Sequence, residues 1–295
     1  MSTLREVKDR IASVRGTLKI TSAMKLVASS KLRKAQRAIE ALRPYEEALL
    51  KILSEVASGS VCKGKTGEGK TVILAFSSNS SMCGAFNNNL IKKLKDAIED
   101  AGGPLEVWAF GKKVAEAMKK AGSPAARDYS HLMAQPEFNP AAAISAELRQ
   151  FFDDGAVSRV LLVYNHFVST SRQEVVVEPF LGEERSFAPA QDDRGAPDPT
   201  SVILSEAKNL SSEEYILEPS REELMETLLP QVLDLKLYGA LLDSAAAEHA
   251  ARMIAMQAAT DNAESLLAEL TLEYNKGRQQ KITAEILDLV GGAAR

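Results

Sequence analysis

Apolar positions near the amino terminus step by threes and fours for about forty residues, broken only at Thr21. Leu4, Val7, Ile11, Val14, Leu18, Thr21, Met24, Ala28, Leu32, Ala35, Ile39 and Leu42 make one narrow seam, with Thr21 its single polar member. That spacing is the a/d pattern of a coiled-coil helix. Pro44 interrupts it and predicts a kink or joint, after which the pattern resumes through Leu49, Leu53 and Val56. A second seam of the same spacing runs through Leu242, Ala246, Ala250, Met253, Met256, Thr260, Ala263, Leu267, Leu270 and Tyr274. No proline follows Pro230. One helix over Gln231 to Val290 would therefore be roughly 90 Å long at 1.5 Å per residue. A compact globule of this chain length has a radius of gyration of only about 19 Å, so such a helix projects from any globular body.

Between the seams the pattern changes. Thr71–Phe76 (TVILAF), Leu105–Phe110 (LEVWAF), Arg159–Tyr164 (RVLLVY) and Glu174–Val177 read as strands; Asn88–Ala101, Lys112–Ala121 and Ala141–Phe152 read as helices. Strands alternating with helices predict a partly parallel sheet. The fold class is thus α/β with a long helical coiled coil: a Rossmann-like domain inserted between terminal helices that pair antiparallel. The expected division is 1–58 for the first helix, 70–218 for the α/β domain and 219–295 for the last helix. Residues 185–212, rich in Pro, Asp, Ser and Gly, read as a mobile insertion.

Composition narrows the function classes. With 45% hydrophobic and 26% charged residues in 295, the chain is globular. Two cysteines and three scattered histidines suggest neither a disulfide framework nor a zinc site, and a reducing compartment fits. The first residues lack a signal-peptide core, and no run of about 18 apolar residues exists to span a membrane. The net charge of −4 conceals an asymmetry. From Arg10 to Ile39 there are eight bases and no acid, whereas acids dominate from Arg221 onward.

Three features invite a chemical reading. Gly64–Thr71 (GKTGEGKT) fits the phosphate-loop pattern, but that chemistry needs a strand before the loop and a helix after it; here a helix precedes and a strand follows. The segment Ser77–Asn89 lies beyond the first strand, where α/β sheets bind ligands, yet it brings no charge for a phosphate and no base beside Cys83. A tight, packed turn is the favoured reading. The basic run Arg10–Arg37 lacks interleaved aromatics, so an acidic protein surface suits it better than nucleic acid. A small NTPase using Gly64–Thr71, or a coiled-coil scaffold on nucleic acid, remain the alternatives from other classes.

Ile11–Gln36 (IASVRGTLKITSAMKLVASSKLRKAQ), Arg43–Tyr45 (RPY), Met82–Asn87 (MCGAFN), Ala250–Ala263 (AARMIAMQAATDNA) and Tyr274–Ala294 (YNKGRQQKITAEILDLVGGAA) resemble the gamma subunits of F-type ATP synthases. The resemblance implies a central-stalk rotor that couples proton-driven rotation of the c-ring to the nucleotide sites of an alpha/beta hexamer. It implies epsilon and the c-ring as partners at the foot, and a single copy on the cytoplasmic face of the bacterial inner membrane. No cofactor, metal or catalytic residue is then expected in this chain. By the same resemblance, Met24 and Lys25 pass the acidic lever region of beta. Arg252, Arg278 and Gln279 make polar contacts with beta loops, Thr283 and Glu285 lie in the upper bearing, and Tyr215 is near the foot. The small, apolar stretch Ser244–Thr260 is expected as the buried upper end of the shaft, where small residues on several faces admit more than one neighbour. Two departures stand out. Ser77–Ser81 stands where the family often has T-S-D-R-G, so an acid and a base are missing from this turn. Residues 185–212 have no clear family counterpart.

Overall fold

The computed structural model describes residues 4–56, 69–182 and 220–293. Helix α1 spans Leu4–Val56. Strand β1 (Lys70–Phe76), helix α2 (Phe86–Ala101), strand β2 (Leu105–Phe110) and helix α3 (Lys112–Lys120) follow. Then come β3 (Arg127–Asp128), α4 (Ser130–Ala134), α5 (Phe138–Asp153), β4 (Val157–Phe167) and β5 (Gln173–Leu181). The last helix, α6, spans Arg221–Ala293; its 73 residues are roughly 110 Å of helix. The expected strands and helices are present: β2 has the expected bounds, α3 is one residue shorter, and the others are a little longer. Only β3 and α4 lack a sequence signal, being too short to show a period.

The helices α1 and α6 pair antiparallel and keep one register. Leu4 meets Gly277, Thr21 meets Thr260, and Leu42 meets Gly239. Steps of 17 and 21 residues along α1 are matched by equal steps along α6, so nothing slips between them. Every position of the first seam is buried or half-buried. Thr21, the apparent flaw, is buried: its Oγ1 lies 3.0 Å from that of Thr260 and donates to the Leu18 carbonyl. A polar pair inside an apolar seam fixes register, because any slip would leave a hydroxyl facing carbon. At Gly277 an added Cβ would lie 3.1 Å from the Leu4 side chain, so this glycine lets the helices close.

Pro44 neither ends α1 nor divides it into two helices. The missing N–H costs one backbone bond. Leu49 and Leu53 nevertheless pack on Val232 and Leu235 of α6, and this tertiary burial outweighs the local penalty. Pro230 is likewise inside α6, which begins at Arg221.

The five strands are ordered β3-β2-β1-β4-β5; all neighbours are parallel except β4 and β5. Both faces are covered, which is why TVILAF is apolar at every inner position. Ile73, Ala75, Val107, Ala109, Leu161 and Val163 face Leu90 and Leu94 of α2 and Val114 of α3. On the other face, Val72, Leu74, Phe76, Trp108, Phe110 and Leu162 pack on Leu148 of α5 and on Leu233, Leu237 and Leu241 of α6. One layer of the α/β domain is therefore the foot of the long helix itself. Among the described residues no helix is long and apolar enough to cross a membrane.

Candidate functional site: a clamped neck and a bare tip

Two stretches of α6 carry the functional argument. Around Leu233–Arg252 the helix is enclosed by the sheet on one side and α1 on the other. Ala246 and Ala250 touch Leu32 and Ala35 of α1, and Ala247 touches Cys83 and Phe86. Ser244 donates to the Phe76 carbonyl at 3.3 Å. The small residues do admit several neighbours, as their pattern implies. Ser244–Ala250 is, however, the junction with the sheet and not the upper end of the shaft. That correction has a plain cause: the closest packing is needed where three elements converge, and only there does a larger side chain have nowhere to go.

Polar clasps fasten the domain to this neck. Arg149 of α5 donates to Asp234 at 2.7 Å and to the Pro230 carbonyl at 2.8 Å. Lys236 pairs with Glu178 of β5 at 3.2 Å. Arg252, only 8% exposed, donates to Glu248 at 2.5 Å and to the Ser80 hydroxyl at 2.8 Å. Burial pushes the Glu248 carboxyl up, opposed by the Arg252 and Lys31 cations. Burial, reinforced by the same two cations, pushes the neighbouring His249 down to about 4.

Ser80 belongs to the altered turn Ser77–Asn87. The turn is a packed knot. Asn79 donates to the Ser130 carbonyl at 2.7 Å and accepts from Lys112 N–H; Ser77 Oγ accepts from Val114 N–H at 2.9 Å. Cys83 is buried, and Asn87 Nδ2 lies 3.0 Å from its sulfur. Ser78 Oγ, 3.7 Å from the sulfur, is its other near polar neighbour. A serine and a distant arginine thus hold a turn that carries no charge of its own.

The phosphate-loop pattern is described only from Gly69 onward. Lys70 and Thr71 lie in β1: Thr71 N–H donates to the Pro104 carbonyl, and Lys70 Nζ pairs with Glu106 at 2.9 Å. A strand follows the glycines, so no helix N-terminus is present to receive a phosphate. Tyr215 and residues 185–212 lie outside the described residues.

The remaining predicted positions are on the helix pair. Met24 is a half-buried seam residue and Lys25 is half-buried beside it; Ile20, Leu26 and Val27 are exposed nearby. Above the level of Leu4, α6 continues without any described residue of α1 alongside. From Arg278 to Leu289 every residue is exposed, Arg278, Gln279, Thr283 and Glu285 included. The Thr283 hydroxyl donates to the Gln279 carbonyl at 2.9 Å, and Lys281 stands 3.8 Å from Glu285. Ile282, Ile286, Leu287 and Leu289 share this bare tip. The structure therefore separates Arg252, engaged inside the chain, from Arg278 and Gln279, displayed outside it. Sequence reasoning missed the Arg252–Ser80 contact, since 172 residues separate the two and no motif links them.

Residues 3–294 match the family model described as ATP synthase. The chain is 43% identical to the ATP synthase gamma chain of Bacteroides fragilis strain ATCC 25285, over 99% of each. It is 39% identical to that of Flavobacterium johnsoniae, over 99% of this chain and 98% of the relative. Among solved structures, the Euglena gracilis mitochondrial ATP synthase OSCP/F1/c-ring assembly contains a chain of the same fold. The TM-score is 0.65 at 18% identity, over 99% of this chain and 93% of that one. A chain of the Tetrahymena thermophila mitochondrial central stalk and c-ring gives 0.55 at 22% identity, over 81% and 99%.

Proposed function

The chain belongs to the ATP synthase gamma-chain family, and from that premise we propose that it is the non-catalytic rotor of a proton-translocating ATP synthase. Its helix pair is the central stalk. Proton flow turns a c-ring; the foot of this chain, with an epsilon subunit, follows the ring; and the bare tip turns inside a hexamer of alpha and beta subunits. The complex sits on the cytoplasmic face of a bacterial inner membrane, and this chain meets the membrane only through its partners.

The observation that carries the reading is the contrast along α6: clamped on all sides at the neck, exposed on all sides from Arg278 to Leu289. A rotor needs a rigid joint where torque enters and a tip that is held by nothing of its own. Coupling requires that the tip contact each beta subunit with a different free energy at each angle. Lys25, Arg278, Gln279, Thr283 and Glu285 supply the polar part of those contacts, and Met24 an adaptable apolar part. Arg252 acts one step back, holding the Ser77–Asn87 turn to the shaft. The test is purification from native membranes followed by reconstitution into vesicles. Co-elution with a nucleotide-binding hexamer is expected, as is ATP synthesis driven by a proton gradient only when this chain is present. A chain that elutes apart from such a hexamer would sink the reading.

A further inference from the structure

Strand β4 outruns the sheet. Its pairing with β1 ends at Val163, whereas its pairing with β5 continues through His166–Glu174 and Phe167–Gln173. Beyond Val163 the two strands are a ribbon, and a two-stranded ribbon is marginal unless something holds it. Two side chains at its tip reach the helices. Phe167 packs against Leu32, Ala35, Ala246 and Ala250, bridging α1 and α6. His166 Nδ1 lies 2.6 Å from the Asp243 carboxylate of α6.

The charges around His166 come from each neighbouring element. From α6 there is Asp243, and from α1 Arg43; Asp243 also acts on Glu46 of α1, as does Lys236 of α6. From β5 there is Glu178, which accepts from the Tyr164 hydroxyl of β4 at 3.1 Å. Glu174, opposite His166 in the ladder, is occupied by Arg172 of the connecting turn at 2.6 Å. The immediate surroundings of the imidazole are thus mainly anionic, with Asp243 in contact.

We propose that the tip of the β4–β5 ribbon is a pH-dependent latch on the helix pair: Phe167 seats it, and the His166–Asp243 ion pair closes it at acidic pH and weakens as pH rises. The hydrogen bond to Asp243 raises His166 above its ordinary value, burial opposes, and the Asp243 and Glu178 charges add to the rise. A histidine raised on docking adds stability that is fully present below its undocked value of about 6.5 and is lost as pH rises through the docked value. Glu46 of α1 is itself raised, by burial first and by the Asp243 charge second. Tyr164 is raised as well and stays protonated throughout. A neck fastened in this way ties the sheet to the shaft more firmly in acid than in mild alkali.

The experiment uses the full chain with ring-labelled histidine. The His166 signal is assigned by His166→Gln and titrated by NMR from pH 5.5 to 8.5 on the ordinary scale of about 6.5. Amide exchange of the ribbon tip is measured at pH 6 and 8 and corrected for the chemical rate. His166 is expected to titrate above about 6.5, and Asp243→Asn to lower it. Protection of the ribbon tip should fall between pH 6 and 8, by up to about tenfold for each unit of elevation. In His166→Gln it should be flat, and in Phe167→Ala lower at both pH values. Titration of His166 at or below the ordinary value would overturn the latch, and so would an unchanged pH dependence in Asp243→Asn. Should His166→Gln fail to fold, the wild-type titration and the Asp243→Asn exchange decide the matter alone.

Discussion

Residues Leu233–Arg252 and Arg278–Leu289 lie in one helix, with no change of secondary structure between them. The first stretch is wrapped by a sheet, a turn and a second helix; the second meets none of these. Leu237 is 0% exposed and Leu289 74%. Both are leucines on a helix, so the difference is not one of propensity. It lies in what the rest of the chain brings alongside. A stretch clamped by its own chain contributes to stability, whereas a stretch left bare adds little to it and, in the function proposed above, has its contacts in the assembly.

The widest separation should come from truncating a leucine in each region. Leu237→Ala is expected to cost about 2–5 kcal/mol, the cost of a cavity in a packed core. Leu289→Ala should stay within about 0.5 kcal/mol. Urea midpoints of the purified chain measure both, and equal losses would erase the distinction. Next comes the neck clasp. Arg252→Ala leaves Glu248 buried without its cation and should cost about 3 kcal/mol, less if the carboxyl takes up a proton. Its stability should then improve on acidification relative to the parent, since the buried Glu248 is already raised.

At the tip the ranking reverses between assays. Arg278→Ala with Gln279→Ala should leave the urea midpoint nearly unchanged. In the assembled complex it should slow ATP turnover by about ten- to a hundredfold, the value of a charge-assisted hydrogen bond formed in only some rotary states. Normal turnover with normal assembly would remove these two residues from the coupling surface. The smallest effect is expected at Lys70→Ala. Its amine is exposed and pairs with Glu106 near the start of β2, so turnover should change by less than about twofold and stability by about 0.5 kcal/mol. A loss of a hundredfold would revive a nucleotide site at Gly64–Thr71.

The seams were legible because a coiled coil writes its partner surface as a period. Each of the twelve positions from Leu4 to Leu42 is buried or half-buried. The strands were legible for a related reason: a sheet covered on both faces needs apolar residues on both, giving uninterrupted runs such as TVILAF. Pro44 shows the limit of local rules. The proline predicts a kink or joint with the pattern resuming beyond it; Leu49 and Leu53 are anchored on α6, and one helix runs through. Thr21 shows the same limit. It reads as a flaw until Thr260 is found opposite, 239 residues away.

The sequence by itself determined the longer helices and strands, the family likeness and which residues would lie on the seam, because each rests on short-range periodicity or on a long colinear motif. It left open that the foot of α6 would serve as a layer of the α/β domain, that Arg252 would reach Ser80, and that His166 would meet Asp243 amid charges from three elements. Those juxtapositions were decided by the tertiary structure alone. Burial and charge pairing act between residues that the fold brings together, and no spacing along the chain encodes the distance between them.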